Sequence, residues 1–499
     1  MSPVNPFAAT LRILLVAVAV AAVPGLAHAE WRKAETRHFT VFSDGSERSL
    51  REYAIELERI DQLMRTYFAL PGSEGDRPLP VYLVGDRRAM AVAQPGLPSS
   101  TAGVYSANFR DIRAIAIRSL GDEIVRHEYG HHFMYRNFPG AYPAWFREGF
   151  AEFFMTATVT ADGRATVGRS SPMRIQTLNS VRWLPMDEVL SSGFDETRRT
   201  QRAAFYAQSW LLMHWVLTDP ERRRRMDGYL ADTARGATIE TALRTHFDMS
   251  IEDFDRTLRA YFRSGTRFAE LDLDGAGPPA VTVTALPDSA DDLMLLDLNA
   301  RNGGPADEGT ELLASIREAA ARHPGDALAQ TALARVEILW GDPAAGERAI
   351  RPFLETSPDD VELLLLMAEA RMAAGDKQTD PEAREPLLRQ ARGFLARAYA
   401  ADPGDHRVYQ GSAHSRRAAP DYPNANDVEL WRRAVAIAPQ IASNRPVAAE
   451  AMLRHGLVDE AERVIQPIAN DPHGGEISPR IQRILDQIAQ HRANSPPVD

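Results

Sequence analysis

A period of 34 residues runs through the C-terminal part of this 499-residue chain. Pro324 and Pro358 stand 34 residues apart, and at the same offset Asp326 matches Asp360, Ala334 matches Ala368 and Gly341 matches Gly375. Pro403, Pro439 and Pro472 continue the series, with an insertion around Asp376 to Glu385. Glu347-Arg-Ala-Ile-Arg-Pro352 recurs as Glu462-Arg-Val-Ile-Gln-Pro467. A unit of this length is a pair of helices that cannot bury its apolar face alone, so each pair must stack on its neighbours. The period therefore predicts an all-α solenoid over 307–495.

Small residues inside the first helix and a proline after the second make these units resemble tetratricopeptide (TPR) repeats. Glu337 and Phe353 depart from the usual pattern, standing where an aromatic and an alanine are common. The resemblance implies a surface that docks a protein partner or substrate.

The N-terminus has another logic. Arg12 precedes an apolar run, Ile13 to Val23; Pro24-Gly25 breaks it, and Ala27-His28-Ala29 places small residues at cleavage positions. This is the layout of a secretory signal peptide over 1–29, too short to span a membrane comfortably. A soluble periplasmic or secreted protein is expected, with no membrane span after signal removal. There is no cysteine. Disulfides and thiolate ligands are excluded, and a metal site must use His, Asp or Glu. The net charge of −11 argues against nucleic acid as a partner.

Between these regions, 30–270 reads as a mixed domain. His38 to Ser43 alternates as a strand, Leu50 to Met64 has helical spacing, and Pro80 to Val84 reads as a buried strand. Ala102 to Ser106 and Ile112 to Ile117 read as two more strands, followed by helices from Gly121 to about Gly265. Gly275 to Asp291 is rich in Pro, Gly and Asp, and a connecting segment is expected over 271–306.

The chemistry concentrates in His127-Glu-Tyr-Gly-His131. Residues four apart share a helix face, so two imidazoles can hold one zinc ion while Glu128 serves as base toward a water. A catalytic zinc takes three protein ligands and keeps one position open. Pro143-Ala-Trp-Phe-Arg-Glu148-Gly-Phe-Ala-Glu152 offers the third from a neighbouring helix, since its paired carboxylates lie amid aromatics and need partners.

His127-Glu128-x-x-His131 with Glu148 in an Arg-Glu-Gly-Phe-Ala frame resembles the gluzincin, or peptidase MA-like, zinc metallopeptidases. The resemblance implies an α+β thermolysin-like domain (a small mixed sheet plus helices) holding one Zn2+ through His127, His131 and Glu148. Glu152 would orient the first ligand His, with Glu where Asp is usual. An edge strand, either Ala102–Ser106 or Ile112–Ile117, would receive an extended substrate. The Tyr206-Ala-Gln-Ser-Trp stretch is similar to one in these proteins and makes Tyr206 the expected oxyanion donor, with His214 as the alternative. His132 lies about 100° round the helix from His131 and should face away from the metal. The expected activity is hydrolysis of peptide bonds, endopeptidase rather than aminopeptidase. The competing reading is a catalytically silent, zinc-containing repeat scaffold of the cell envelope.

Overall fold

The computed structural model describes residues 30–70, 77–191, 198–273, 277–304, 306–469 and 478–494. The signal segment and Pro472 lie outside the described residues.

The N-terminal region is built on a six-stranded mixed sheet. In chain order it comprises β1 (Arg32–Glu35), β2 (Phe39–Ser43), α1 (Glu47–Tyr67), β3 (Leu79–Val84), α2 (Arg87–Ala93), β4 (Gly103–Ala107) and β5 (Ile112–Ile117). Next come α3 (Asp122–Asn137), α4 (Ala144–Met155), β6 (Thr158–Val159), β7 (Arg164–Val167), α5 (Pro172–Ser180), α6 (Met186–Ser191) and α7 (Arg199–Leu217). Then follow α8 (Pro220–Ala234), α9 (Ile239–Phe247), α10 (Ile251–Ser264), β8 (Ala269–Asp272), β9 (Thr282–Ala285) and α11 (Ser289–Asn302).

The sheet order is β4-β5-β3-β2-β1-β9, with β2, β3 and β5 parallel and the outer pairs antiparallel. Strand alternation sorts side chains to two faces. Phe39, Val41, Val81 and Leu83 join α1, α3 and α4 in the main core, while Tyr82, Val84, Ile115 and Ile117 meet α2 and α11 on the other face. The sheet leaves β4, not β5, at its edge, beside α3.

Two expectations are corrected. The run of helices from Gly121 to Gly265 is interrupted by the hairpin of β6 and β7, which turns at Asp162-Gly163 and pairs with β8 in a second sheet. That Asp-Gly pair is a hairpin signal, but the two strands pair over only two residues and carry little alternation. Nor is 271–306 merely a connecting segment. β9 pairs along β1, from Arg32 opposite Ala285 to Glu35 opposite Thr282. α11 puts Ala290, Met294 and Leu298 under the first sheet and Leu293 and Ala300 into the first repeat. β9 is short and mostly exposed, so it has no apolar period to read.

The repeats are α12 (Ala306–Ala321), α13 (Ala327–Trp340), α14 (Pro343–Thr356), α15 (Val361–Asp376), α16 (Pro381–Ala401), α17 (His406–His414), α18 (Ala425–Ile437), α19 (Asn444–Arg454), α20 (Val458–Ala469) and α21 (Pro479–Asn494). Consecutive helices pack on one another to form a helical-repeat array. The period has a physical cause. Asp326 and Asp360 are both helix N-caps, accepting from Ala329 N and Leu363 N, while Ala334 and Ala368 are wholly buried. The insertion runs from the end of α15 into the first turn of α16, which has 21 residues against 14 in α14.

Candidate metal centre

The cluster is assembled by three helices at close quarters. Acidic Asp122 and Glu123 occupy the first turn of α3, where they complement the helix dipole. A Cβ on Gly130 would lie 2.9 Å from Ala151 Cα of α4, and one on Gly149 would lie 2.5 Å from Ser209 O of α7. Only hydrogen at these two positions lets α3 and α7 press against α4 so closely.

His127 and His131 of α3 and Glu148 of α4 meet. Nε2 of His127 is 3.2 Å from Nε2 of His131, and Glu148 Oε2 is 3.4 Å and 3.7 Å from them. Donors held tetrahedrally at about 2.0–2.1 Å from zinc stand about 3.3 Å apart. The point equidistant from the three atoms in their own plane is about 2.0 Å from each, within that coordination range. Glu148 Oε2 is buried and makes no hydrogen bond.

The charges agree with the geometry. Burial opposes a proton on His127, but contact with Glu148 and the charges of Glu128 and Glu152 outweigh it and lift His127 to about 9. Burial, outweighing Glu148, holds His131 at about 4. Against its own burial, Glu148 is drawn to about 2 by His131 and His127. The cluster thus gathers positive charge at the point where a cation would displace a proton. The residues present fit a single divalent ion.

Glu128 is 7% exposed, and burial raises it to about 7, with His127 opposing. Its carboxylate faces the edge strand: it accepts from the Tyr105 backbone, and a Cβ on Gly103 would lie 2.8 Å from its Oε1. Glu152 Oε1 lies 3.5 Å from His127 Nδ1, at the long limit of a hydrogen bond. Arg174 of α5 forks this carboxylate, Nε to Oε2 at 2.7 Å and Nη2 to Oε1 at 2.5 Å. Composition and spacing gave no sign of Arg174. Its only sequence cue is Ser171-Pro172, which caps and starts its helix.

Tyr206 of α7 reaches the same place, its ring 6.4 Å from that of His127 and under the Arg174 guanidinium at 5.3 Å. Burial and the nearby carboxylates push its hydroxyl well above the ordinary phenol range. His214 does not reach it. Eight residues on, it is about 12 Å further along α7, wholly buried, with Nε2 2.9 Å from Gly168 O and Nδ1 2.8 Å from Tyr261 OH. With both ring nitrogens engaged, His214 is a core residue and not an alternative donor. His132 turns to Tyr105 OH, 3.2 Å from its Nδ1.

A second gathering of donor groups among the described residues, His38, Glu58 and Asp61, is self-satisfied. Arg65 Nε and Tyr129 OH donate to Asp61, and Glu58 holds both the ring and the backbone of His38.

No protein-family model matches the chain, and no curated protein matches its sequence. Among solved structures it is similar to a thermophilic TPR protein of Thermus thermophilus, at 18% identity over 38% of this chain and 92% of that one, with a TM-score of 0.29. At so low a score, the repeat architecture stands on the helix packing and capping described above.

Proposed function

We propose that this chain is an exported zinc-dependent metallopeptidase of the gluzincin type, acting as an endopeptidase, whose repeats dock a protein partner or substrate. The observation that carries this reading is the triangle of His127, His131 and Glu148 donor atoms with Glu128 buried beside it. A zinc ion held there would supply Lewis acidity to a water molecule and to a peptide carbonyl. Glu128 takes the proton from the attacking water and returns it to the leaving amine. Tyr206 donates to the oxygen that gains charge. Glu152, itself fixed by Arg174, aligns His127. The outer N–H and C=O groups of β4, apart from the Tyr105 N–H that Glu128 engages, pair with an extended peptide. No helix among the described residues is long and apolar enough to cross a membrane. Export rests on the pattern of residues 1–29.

The second reading, the silent zinc-containing scaffold, rests on the array of packed helix pairs. His131 Nδ1 is buried without a hydrogen-bond partner, and since a metal-ligating imidazole ordinarily donates its second N–H, this bears on metal binding in both readings. Metal content and casein cleavage, measured on the wild type and Glu128→Gln, separate the readings. The peptidase predicts that cleavage falls by about 10²–10⁴-fold with the metal retained. Metal in both proteins and cleavage by neither selects the scaffold.

A further inference from the structure

A cavity of about 430 Å³ lies where the sheet domain meets the repeats, apart from the metal cluster. α3 contributes Tyr129, His132 and Arg136 to its wall, one face of the helix at i, i+3 and i+7, and the loop between β4 and β5 contributes Arg110. The repeats contribute His406, Arg407 and Gln440. Phe42 and Tyr82, stacked with ring centroids 4.6 Å apart, give it an apolar side.

Most of the charge here is structural. Arg65 is held by Asp61, Arg77 by Asp402 and Asp405, Arg301 by Asp297, and Arg407 by Asp405 and Glu362. Three of the lining residues carry a buried polar atom without a hydrogen-bond partner: Arg110 Nε, His406 Nε2 and Gln440 Oε1. Glu369 on α15 feels the charge of Arg110, but no hydrogen bond joins them. His406 is 5% exposed, so an unanswered ring nitrogen is costly. A fixed, always-charged guanidinium with an open donor selects an acceptor, and a charged acceptor makes the stronger bond.

We propose that this cavity binds a small organic anion, a carboxylate or phosphate head on an apolar body, with the head on Arg110 and His406 and the body against Phe42 and Tyr82. The volume falls within the usual range for small-molecule sites, about 300–1,000 Å³. Such a ligand touches both domains at once and fastens the repeats to the back of α3. The site is independent of the metal and of peptidase activity.

The test uses the full mature chain and calorimetric titration with N-acetyl-phenylalanine, its neutral amide, and phenyl phosphate. One or both anions should bind saturably, at least about tenfold tighter than the amide, as a charge-assisted contact requires. Arg110→Gln, checked for an unchanged circular dichroism spectrum, should bring the preferred anion and the amide to within about threefold of each other. Preference for the acid identifies a carboxylate ligand, and preference for phenyl phosphate a phosphate one. Binding of both anions no tighter than that of the amide, no saturable binding of either anion, or discrimination that survives Arg110→Gln overturns the proposal. Where Arg110→Gln fails to fold, the comparison on the wild type decides alone.

Discussion

Both halves of this molecule bury carboxylates between packed helices, and they treat them differently. In α11 and the repeats most are answered by arginine, Glu369 of α15 feeling arginine charge without a hydrogen bond. Glu337 meets Arg317, Glu347 meets Arg371 and Arg351, and Asp297 and Glu362 share the buried Arg335. Between α3 and α4, Glu148 and Glu128 have no arginine partner by hydrogen bond, and Glu148 points an unanswered oxygen at two imidazoles. Glu152, one turn on from Glu148, is answered by Arg174 as the repeat acids are. Buried acids that serve the fold are paired from within; the unpaired ones mark where something from outside belongs.

The sharpest break of this contrast is Arg335→Leu. Arg335 is 3% exposed, and its loss leaves two buried carboxylates one partner short. A cost of about 3–4 kcal/mol is expected by denaturant unfolding, toward the low end for breaking a buried pair because Asp297 keeps Arg301 and Glu362 keeps Arg407. Metal affinity should not change. A loss of metal with no loss of stability would reverse the distinction.

His406 gives the repeats a pH signature. Burial holds it at about 4 in the folded chain, against about 6.5 when unfolded. Between those values the unfolded state binds more protons, so stability is full above pH 6.5 and falls as the pH drops toward 4, by at most about 3 kcal/mol. In His406→Gln that part of the slope between pH 7 and pH 4.5 should vanish. An identical slope in the variant would show that other groups carry it.

Glu148→Gln tests the other side. It keeps the shape, removes the charge and leaves no arginine stranded. Zinc affinity should fall about a hundredfold or more, near 2.7 kcal/mol, and stability in chelator near neutral pH should fall as well, because His131 and His127 favour the ionised Glu148 in the fold. Unchanged zinc affinity would make Glu148 a structural acid like those of the repeats.

Legibility in the sequence followed the range of the interaction. Helix spacing alone brought His127 beside His131, and Glu148, the proposed third ligand, was readable because it sits in a local frame of aromatics and glycine. Repeated Asp caps and buried alanines exposed the helix pairs. The failures were of another kind. β9 is recognisable only through its pairing with β1, more than 200 residues away. His214 has the residue type of an oxyanion donor, but its fate is set by Gly168 and Tyr261, 46 and 47 residues distant. The edge position of β4 is a property of the whole sheet, and neither strand's own residues declare it.

Arg174 is the smallest test and the one closest to the boundary between the two regimes. It pairs with Glu152 as a repeat arginine would, yet that carboxylate stands 3.5 Å from a proposed metal ligand. If the pairing serves only the fold, Arg174→Ala should cost stability and leave the affinity of folded protein for zinc unchanged. If it holds Glu152 against His127, zinc affinity measured by chelator competition should fall about 10- to 100-fold, the usual cost of losing an outer hydrogen-bond partner of a metal ligand. Arg174→Lys discriminates further. Lysine keeps the charge but not the fork, so a charge effect is restored and an orienting effect only partly. Full recovery of zinc affinity in Arg174→Lys would reduce Arg174 to a counter-ion. Partial recovery would make its two parallel hydrogen bonds the reason that His127 stands where it does.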